Sequence, residues 1–286
     1  MAPTILVAGS LHYDIIVEAD HLPRVDETAV GTRWYPKFGG KGGNQAVAAC
    51  AQGARVRMLG AVGNDDFGPY LRAKLTSAGV DDRFVSTKLA TSGISVALML
   101  PNGDYAATIV SGANLLIAAE DVQQAAAWAD IGLLVLQNEM PETANLAAAS
   151  EARRRGIRTV LNAAPYRPLL PEFARLVDIL VVNAVEAEMI GTAPVDDLAA
   201  AAKAAKRLSD RFPCVIVTAG AHGLATCLTQ GDPLTIAAEK VNVITSHGAG
   251  DAFIGAMAAS LVMGGGLDAA CRAASIAAAR HVSGKV

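Results

Sequence analysis

The chain is 286 residues long, 52% apolar and 18% charged, with 24 Lys and Arg against 27 Asp and Glu for a net charge of −3. Such a length suits one large α/β domain, or one with a smaller attachment, and a balance without a basic block excludes nucleic acid and anionic membrane surfaces as partners. No apolar run is long enough to span a bilayer, and "MAPTILVAGSLHYD" lacks the basic start and apolar core of a secretion signal, so a cytoplasmic protein is expected.

In chain order, strands are predicted at "TILVAG" (4–9), "RVRMLGAV" (55–62), "GLLVLQN" (132–138), "RTVLNAA" (158–164), "DILVVN" (178–183) and "CVIVTAG" (214–220). They lack polar/apolar alternation, so both faces should be buried, as in a parallel sheet. Between them lie helical segments with readable ends: "GGNQAVAACAQ" stopping at Gly53, "DDFGPYLRAKLTSA" stopping at Gly79, one opened by Pro141 and closed by Gly156, and 196–212 closed by Pro213. This alternation implies βα units covering a mostly parallel sheet on both sides. Two stretches break the rhythm, 15–38 and 93–112. In the second, two strand-like runs flank Asn102-Gly103, a hairpin signal, so a small extra sheet is expected beside the main one, covering a site. The cysteines at 50, 214, 227 and 271 show no C-x-x-C spacing, so zinc and a disulfide framework are not expected.

In open parallel α/β sheets the ligand lies beyond the carboxyl ends of the strands. Polar residues follow the predicted strands there: His12 and Asp14, the loop "FGGKGGN" with Gly40, Lys41 and Asn44, then Glu139, Asn183 with Glu186, Thr218 with Gly220, and the stretch "HGAGD". Each has a structural reading as well. Asp14 could cap backbone amides, Asn183 with Glu186 could start a helix, and His12 and His247 could be satisfied polar side chains. There is no G-x-x-x-x-G-K-[ST], and "GAGDAF" carries Phe253 where G-x-G-x-x-G needs its last glycine. The combination at 248–251 is more specific. Gly248, Ala249 and Gly250 at a helix start offer backbone N–H groups to a phosphate oxygen. Asp251 beside them would repel phosphate, and instead suits the proton of a hydroxyl that attacks it.

These segments, taken in order as "GSLHYD" (9–14), "FGGKGGNQAVAA" (38–49), "SGAN" (111–114), "QNEMP" (137–141), "VNAVEAE" (182–188), "TAGAHG" (218–223) and "GAGDAF" (248–253), resemble the ribokinase-like (PfkB-type) carbohydrate kinase family along nearly the whole chain. The resemblance implies a three-layer α/β fold over 1–286, with a β lid inserted from about 12–38 and 93–112. It implies an ATP-dependent phosphotransferase acting on a small sugar, with a nucleoside kinase or a catalytically silent sugar sensor as alternatives. Asp251 would be the general base and Gly248, Ala249 and Gly250 the anion hole. His12, Asp14, Gly40, Lys41, Asn44 and Glu139 would hold the acceptor, and Asn183, Thr218, Gly220 and Gly223 the ATP. Glu186 and Asn183 would organise Mg²⁺, partly through water, and the lid would pair two subunits into a homodimer. The chain also departs from the family pattern. Thr245 and Ser246 stand where relatives carry Asp-Thr of a monovalent-cation site, so little potassium dependence is expected. His12 stands where ribose-binding relatives carry Asn, and Ala184 replaces an acid after Asn183.

Overall fold

The structure, a computed structural model, describes residues 3–101 and 105–285. Its strands are β1 (Thr4–Ala8), β2 (His12–Glu18), β3 (Arg33–Gly39), β4 (Val56–Gly63), β5 (Asp81–Lys88), β6 (Gly93–Met99), β7 (Tyr105–Val110), β8 (Ile131–Gln137), β9 (Arg158–Asn162), β10 (Ile179–Asn183), β11 (Cys214–Thr218), β12 (Gly223–Leu228) and β13 (Leu234–Ala237). Its helices are α1 (Lys41–Ala51), α2 (Phe67–Ser77), α3 (Ala119–Val122), α4 (Glu142–Arg154), α5 (Pro171–Ala174), α6 (Ala184–Ile190), α7 (Leu198–Leu208), α8 (Ala249–Val262) and α9 (Leu267–Val282).

A nine-stranded sheet runs in the order β13-β12-β11-β10-β9-β8-β1-β4-β5. From β5 to β11 every neighbouring pair is parallel, and β12 and β13 close one edge antiparallel. Strand side chains alternate between two cores, because successive residues point to opposite faces. Leu6 and Ala8 of β1, with Leu180 and Val182 of β10, pack on one side with Ala148 of α4 and Ala205 of α7. Ile5 and Val7, with Ile179 and Val181, pack on the other with Ala46 of α1 and Met257 of α8. Both faces being buried accounts for the missing alternation in the sequence. The six strands expected from the sequence are present. The expected helix at 42–52 begins one residue early, at Lys41, and Pro141 caps α4 rather than lying inside it.

Helix α8 is buried along most of its length, with Ala249, Gly250 and Ala252 of its first turn and Ser260 as its open or partly open residues. It crosses α1 closely: a Cβ built at Gly255 would sit 2.5 Å from Ala48 Cβ and 2.6 Å from the Ala49 nitrogen. Glycine at 255 therefore sets how near the two helices come.

The second sheet is four-stranded, in the order β3-β2-β6-β7, with β2 and β6 parallel and the outer pairs antiparallel. It is the inserted sheet expected from 12–38 and 93–112. Strands β6 and β7 pair from Ile94↔Val110 to Met99↔Tyr105, while the Asn102-Gly103 turn itself lies outside the described residues. No helix among the described residues is long and apolar enough to cross a membrane, and all four cysteines are free thiols.

Candidate active site

The ends of β1, β8, β9, β10 and β11 and the starts of α1, α6 and α8 converge under the small sheet. Strand β1 ends at Ala8, and the chain passes through Gly9, Ser10 and Leu11 into β2, which carries His12 and Asp14 on its buried side. The loop into α1 needs glycine at 40. Its φ is +85°, and a Cβ there would meet backbone atoms of residues 10–12 at 2.7–2.8 Å. That close approach brings Lys41 and Asn44 beside β2. Glu139, after β8, accepts hydrogen bonds from Ser10 Oγ (2.5 Å) and the Lys41 backbone N–H (2.9 Å), which ties the β1–β2 link to the start of α1.

Helix α8 starts at Ala249 behind Gly248, whose φ of +86° is left-handed. Asp251 in its first turn is buried, and its carboxylate is gripped at both oxygens: Asn44 Nδ2 donates to Oδ2 and Gln45 Nε2 to Oδ1, each at 3.0 Å. Burial raises the Asp251 carboxyl above its usual range, while Lys41 and the two amides pull it back down. Burial likewise raises Asp14 to about 6, against Lys37, which lowers it. The His12 imidazole is held below its ordinary value, also by burial. Two atoms in this group are buried without a partner, His12 Nε2 and Asp14 Oδ1. Buried polar atoms are ordinarily satisfied, so both point to a polar ligand.

A cleft of about 580 Å³ joins these residues. His12, Asp14, Gly40, Lys41, Asn44 and Glu139 line it, with Asn183, Glu186, Thr218, Gly248, Gly250 and Asp251 at the far end and Ser95, Ala107 and Ile109 of the small sheet above. A second cavity of about 490 Å³ lies on the other side of Gly250, lined by Thr218, Gly220, Gly223, residues 238–241, Val243, Ala249 and the α9 face of Ser275, Ala278, Ala279 and Val282. Thr218, Ser246, Gly250 and Phe253 belong to both walls. The residues expected from the sequence thus divide between two compartments that meet at the start of α8.

Some assignments acquire a different geometry. The Ala249 backbone N–H, expected in the anion hole with those of Gly248 and Gly250, donates to Ser246 O at 3.3 Å, and Ala249 faces the second cavity. Asn183 and Glu186 form a reciprocal capping box on α6: Glu186 N donates to Asn183 Oδ1 (2.8 Å) and Asn183 N to Glu186 Oε2 (2.9 Å). The helix-start reading is therefore correct, and both residues still line the cleft. No group of three or more His, Cys, Asp or Glu side chains among the described residues could hold a metal. The single carboxylate of Glu186 suits Mg²⁺, which keeps several waters and needs few protein ligands, better than a cation needing an all-protein cage. Thr245 Oγ1 accepts from His247 N at 3.3 Å, a local turn.

The sequence reading missed Gln45, the residues at 238–243 and the α9 wall. The signal for Gln45 was an amide in an otherwise small-residue helix start, "GGNQAVAA"; the two walls carry none, since "AEKVNV" (238–243) and the Ala-rich α9 hold no motif and lie apart in the chain. His281 of α9 was missed too; its Nε2 donates to His247 O at 2.9 Å and steadies the peptide that carries the Gly248 N–H.

The profile of the pfkB family carbohydrate kinases matches residues 2–285. The chain is 35% identical over 263 residues to a ribokinase of Mus musculus, covering 90% of this chain and 81% of that one. It is 34% identical over 285 residues to a deoxyribokinase of Salmonella typhi, covering 98% and 93%. A solved structure of Arabidopsis thaliana ribokinase complexed with ribose and ATP matches with a TM-score of 0.88 at 26% identity, covering 99% of this chain and 93% of that one.

Proposed function

The chain belongs to the pfkB family of carbohydrate kinases, and on that premise we propose that it transfers the γ-phosphoryl group of ATP to a hydroxyl of a small sugar, a pentose of the ribose or deoxyribose type. The observation that carries this reading is the seam between the two cavities: a buried carboxylate, Asp251, beside the left-handed Gly248, with a polar cleft on one side and a largely apolar cavity on the other. The acceptor sits in the polar cleft. Vicinal hydroxyls suit Asp14, Asn44 and Glu139, which can each take or give a pair of hydrogen bonds, and Asp14 Oδ1 and His12 Nε2 await them. The nucleotide sits in the second cavity, its base against Val243, Ala279 and Val282 and its phosphates toward Gly250.

Asp251 then accepts the proton of the attacking hydroxyl as the O–P bond forms. The raised carboxyl is closer in pKa to an alcohol than a free aspartate is, and the late proton transfer of a loose phosphoryl transition state needs no stronger base. The N–H groups of Gly248 and Gly250, at the positive end of α8, hold the charge on the transferred group. Lys41, which lines the same cleft, adds a positive charge beside it. Glu186 and Asn183 would hold Mg²⁺ through water, and that ion supplies charge neutralisation on the phosphates. The small sheet, carrying Ser95 and Ile109 over the cleft, excludes water that would compete as acceptor.

A nucleoside as acceptor is the second reading, favoured by the apolar stretch of the cleft at Ala107, Ile109, Ala164 and Pro165, which sugar hydroxyls alone would leave unused. A panel of pentoses, deoxypentoses, hexoses and nucleosides in an ADP-release assay separates the readings. Pentose turnover supports the first and nucleoside turnover the second. A sugar that raises the melting temperature without any ADP release supports the silent sensor. The exposed Trp34, Tyr35 and Val110 of the small sheet support pairing of two subunits through it; a Trp34→Asp chain that sediments like the unchanged chain would refute that pairing.

A further inference from the structure

A terminal amide has one acceptor and two N–H donors, and at Gln45 all are used. Oε1 accepts from Gln137 Nε2 at 2.7 Å, and Nε2 donates to Asn162 Oδ1 at 3.1 Å and to Asp251 Oδ1 at 3.0 Å. Gln45 and Gln137 are almost wholly buried, at 1% and 0% exposure. Because Gln137 occupies the oxygen side, the Gln45 amide cannot turn its oxygen toward Asp251 without breaking all three bonds. The chain is anchored in the sheet: Gln137 ends β8 and Asn162 ends β9. The Gln137 main-chain oxygen accepts from Asn145 Nδ2 at 2.9 Å. Its side chain lies against Gly9, where any added Cβ would collide with Gln137 Oε1. That Oε1 is buried without a partner, a cost that an apolar side chain at 137 would avoid; what the amide provides instead is the donor to Gln45.

We propose that Gln45 is a positioning residue for the phosphoryl-transfer step, fixing the plane and the ionised state of the Asp251 carboxylate, with Gln137 and Asn162 fixing Gln45. The inference rests on Asp251 being the base. Asn44 holds Oδ2 and Gln45 holds Oδ1, so the two donors fix the carboxylate plane at a residue that lines the cleft. Donors at both oxygens also favour the charged form, against burial, which favours the neutral one. The charged groups acting on Asp251 are Lys41 of α1, which supports the carboxylate, and Glu139 after β8, which opposes it; His247, ahead of α8, lines the same cleft. Loss of the Gln45 donor leaves the carboxylate free to turn and easier to protonate.

The test is the single-turnover rate, with enzyme in excess over limiting ATP and the acceptor saturating, which excludes product release, measured across pH for Gln45→Met, Gln45→Glu, Gln137→Met and Asp251→Asn. Gln45→Met should slow the step about tenfold or more and move the acid limb of the profile upward, while acceptor binding measured separately stays nearly unchanged. Gln137→Met, which touches neither the base nor the cleft, should shift the limb in the same direction by less. Gln45→Glu, keeping shape but placing a second carboxylate beside Asp251, should shift it furthest. An unmoved acid limb in a folded Gln45→Met chain, with Asp251→Asn inactive, overturns the role of Gln45 and leaves the base assignment standing. Should Gln45→Met fail to fold, an unmoved limb in Gln137→Met overturns it equally. Turnover retained by Asp251→Asn removes the base assignment and this inference with it.

Discussion

The cleft under the small sheet gathers four carboxylates, Asp14, Glu139, Glu186 and Asp251, with Lys41, Asn44 and Asn183, while the cavity across Gly250 is walled by Val241, Val243, Ala278, Ala279 and Val282 around Gly220 and Gly223. The first is assembled from side chains standing on strand ends and locked to each other, as Ser10 is to Glu139 and Gln45 to Asp251. The second is shaped mostly by main chain and by small or apolar residues, with Glu239 and Lys240 as its charged lining. Side chains that grip hydroxyls discriminate sharply, because a missing hydroxyl leaves them unpaired. An apolar slot holds a flat ring by contact area and tolerates more. The selective half of the proposed enzyme is therefore the polar one.

The widest break in this contrast would come from Asp251→Asn. It keeps the shape of the polar side, so both substrates should still bind, while turnover falls by about two or more orders of magnitude; near-normal turnover removes the seam as the place of chemistry. Next in size is Asp14→Asn. A hydrogen bond to a charged group contributes about 1.5–3 kcal/mol, so the acceptor KM should rise about tenfold or more, with the KM for ATP unmoved. The same residue gives a pH signature. Its pKa is raised from 3.8 to about 6, so the accepting carboxylate prevails above that value and the acceptor KM should climb as pH falls through it; Asp14→Asn should flatten the curve. Since burial penalises the ionised form, the folded state binds the proton more tightly than the unfolded one, and stability falls as pH rises from 3.8 through about 6. Asp14→Asn without ligand should accordingly melt higher than the unchanged chain at neutral pH.

A smaller effect sharpens the other side. Gly223 has φ +115°, and a Cβ there would press on Ile236 O, a backbone atom of β13. Gly223→Ala should cost about 1–3 kcal/mol of stability and raise the KM for ATP several-fold without changing acceptor selectivity; an altered sugar preference would mean that the two compartments are not separately built. Smallest of all, exchanging potassium for sodium should change the rate less than about twofold, well under 1 kcal/mol, because Thr245 Oγ1 already serves a turn with His247 N. A strong potassium requirement would show a cation site that the Thr245 argument denies.

How far the sequence revealed each region follows from how each is built. Strands β1, β4, β8, β9, β10 and β11 were legible because their central residues are buried on both faces and are mostly β-branched or aliphatic, with polar residues such as Arg158, Asn162 and Asn183 falling at strand ends. Strand β5, "DDRFVSTK", was not, since its position at the sheet edge lets charged and polar residues form it, Asp81 pairing with Arg57 and Arg83. The short antiparallel pair β12–β13 escaped for the same reason, its outer strand having Leu234 and Thr235 exposed. In the polar cleft, Asp14, Lys41, Glu139 and Asp251 stood out as charges beside glycines and strand ends. Gln45 did not, because an amide on a small-residue helix reads as surface until the fold shows Gln137 and Asn162 meeting it. The apolar cavity was least visible: its walls come from 238–243 and from α9, and only tertiary packing brings them together.

The close crossing at Gly255 has a mechanical outcome. Since α1 and α8 touch backbone to backbone there, the residues that hold the carboxylate and the carboxylate itself ride on one stiff block, cross-braced into β8 and β9. On the proposed reading, whatever admits a substrate under the small sheet has only β2, with His12 and Asp14, to adjust, while the base and its two amide clamps keep their places.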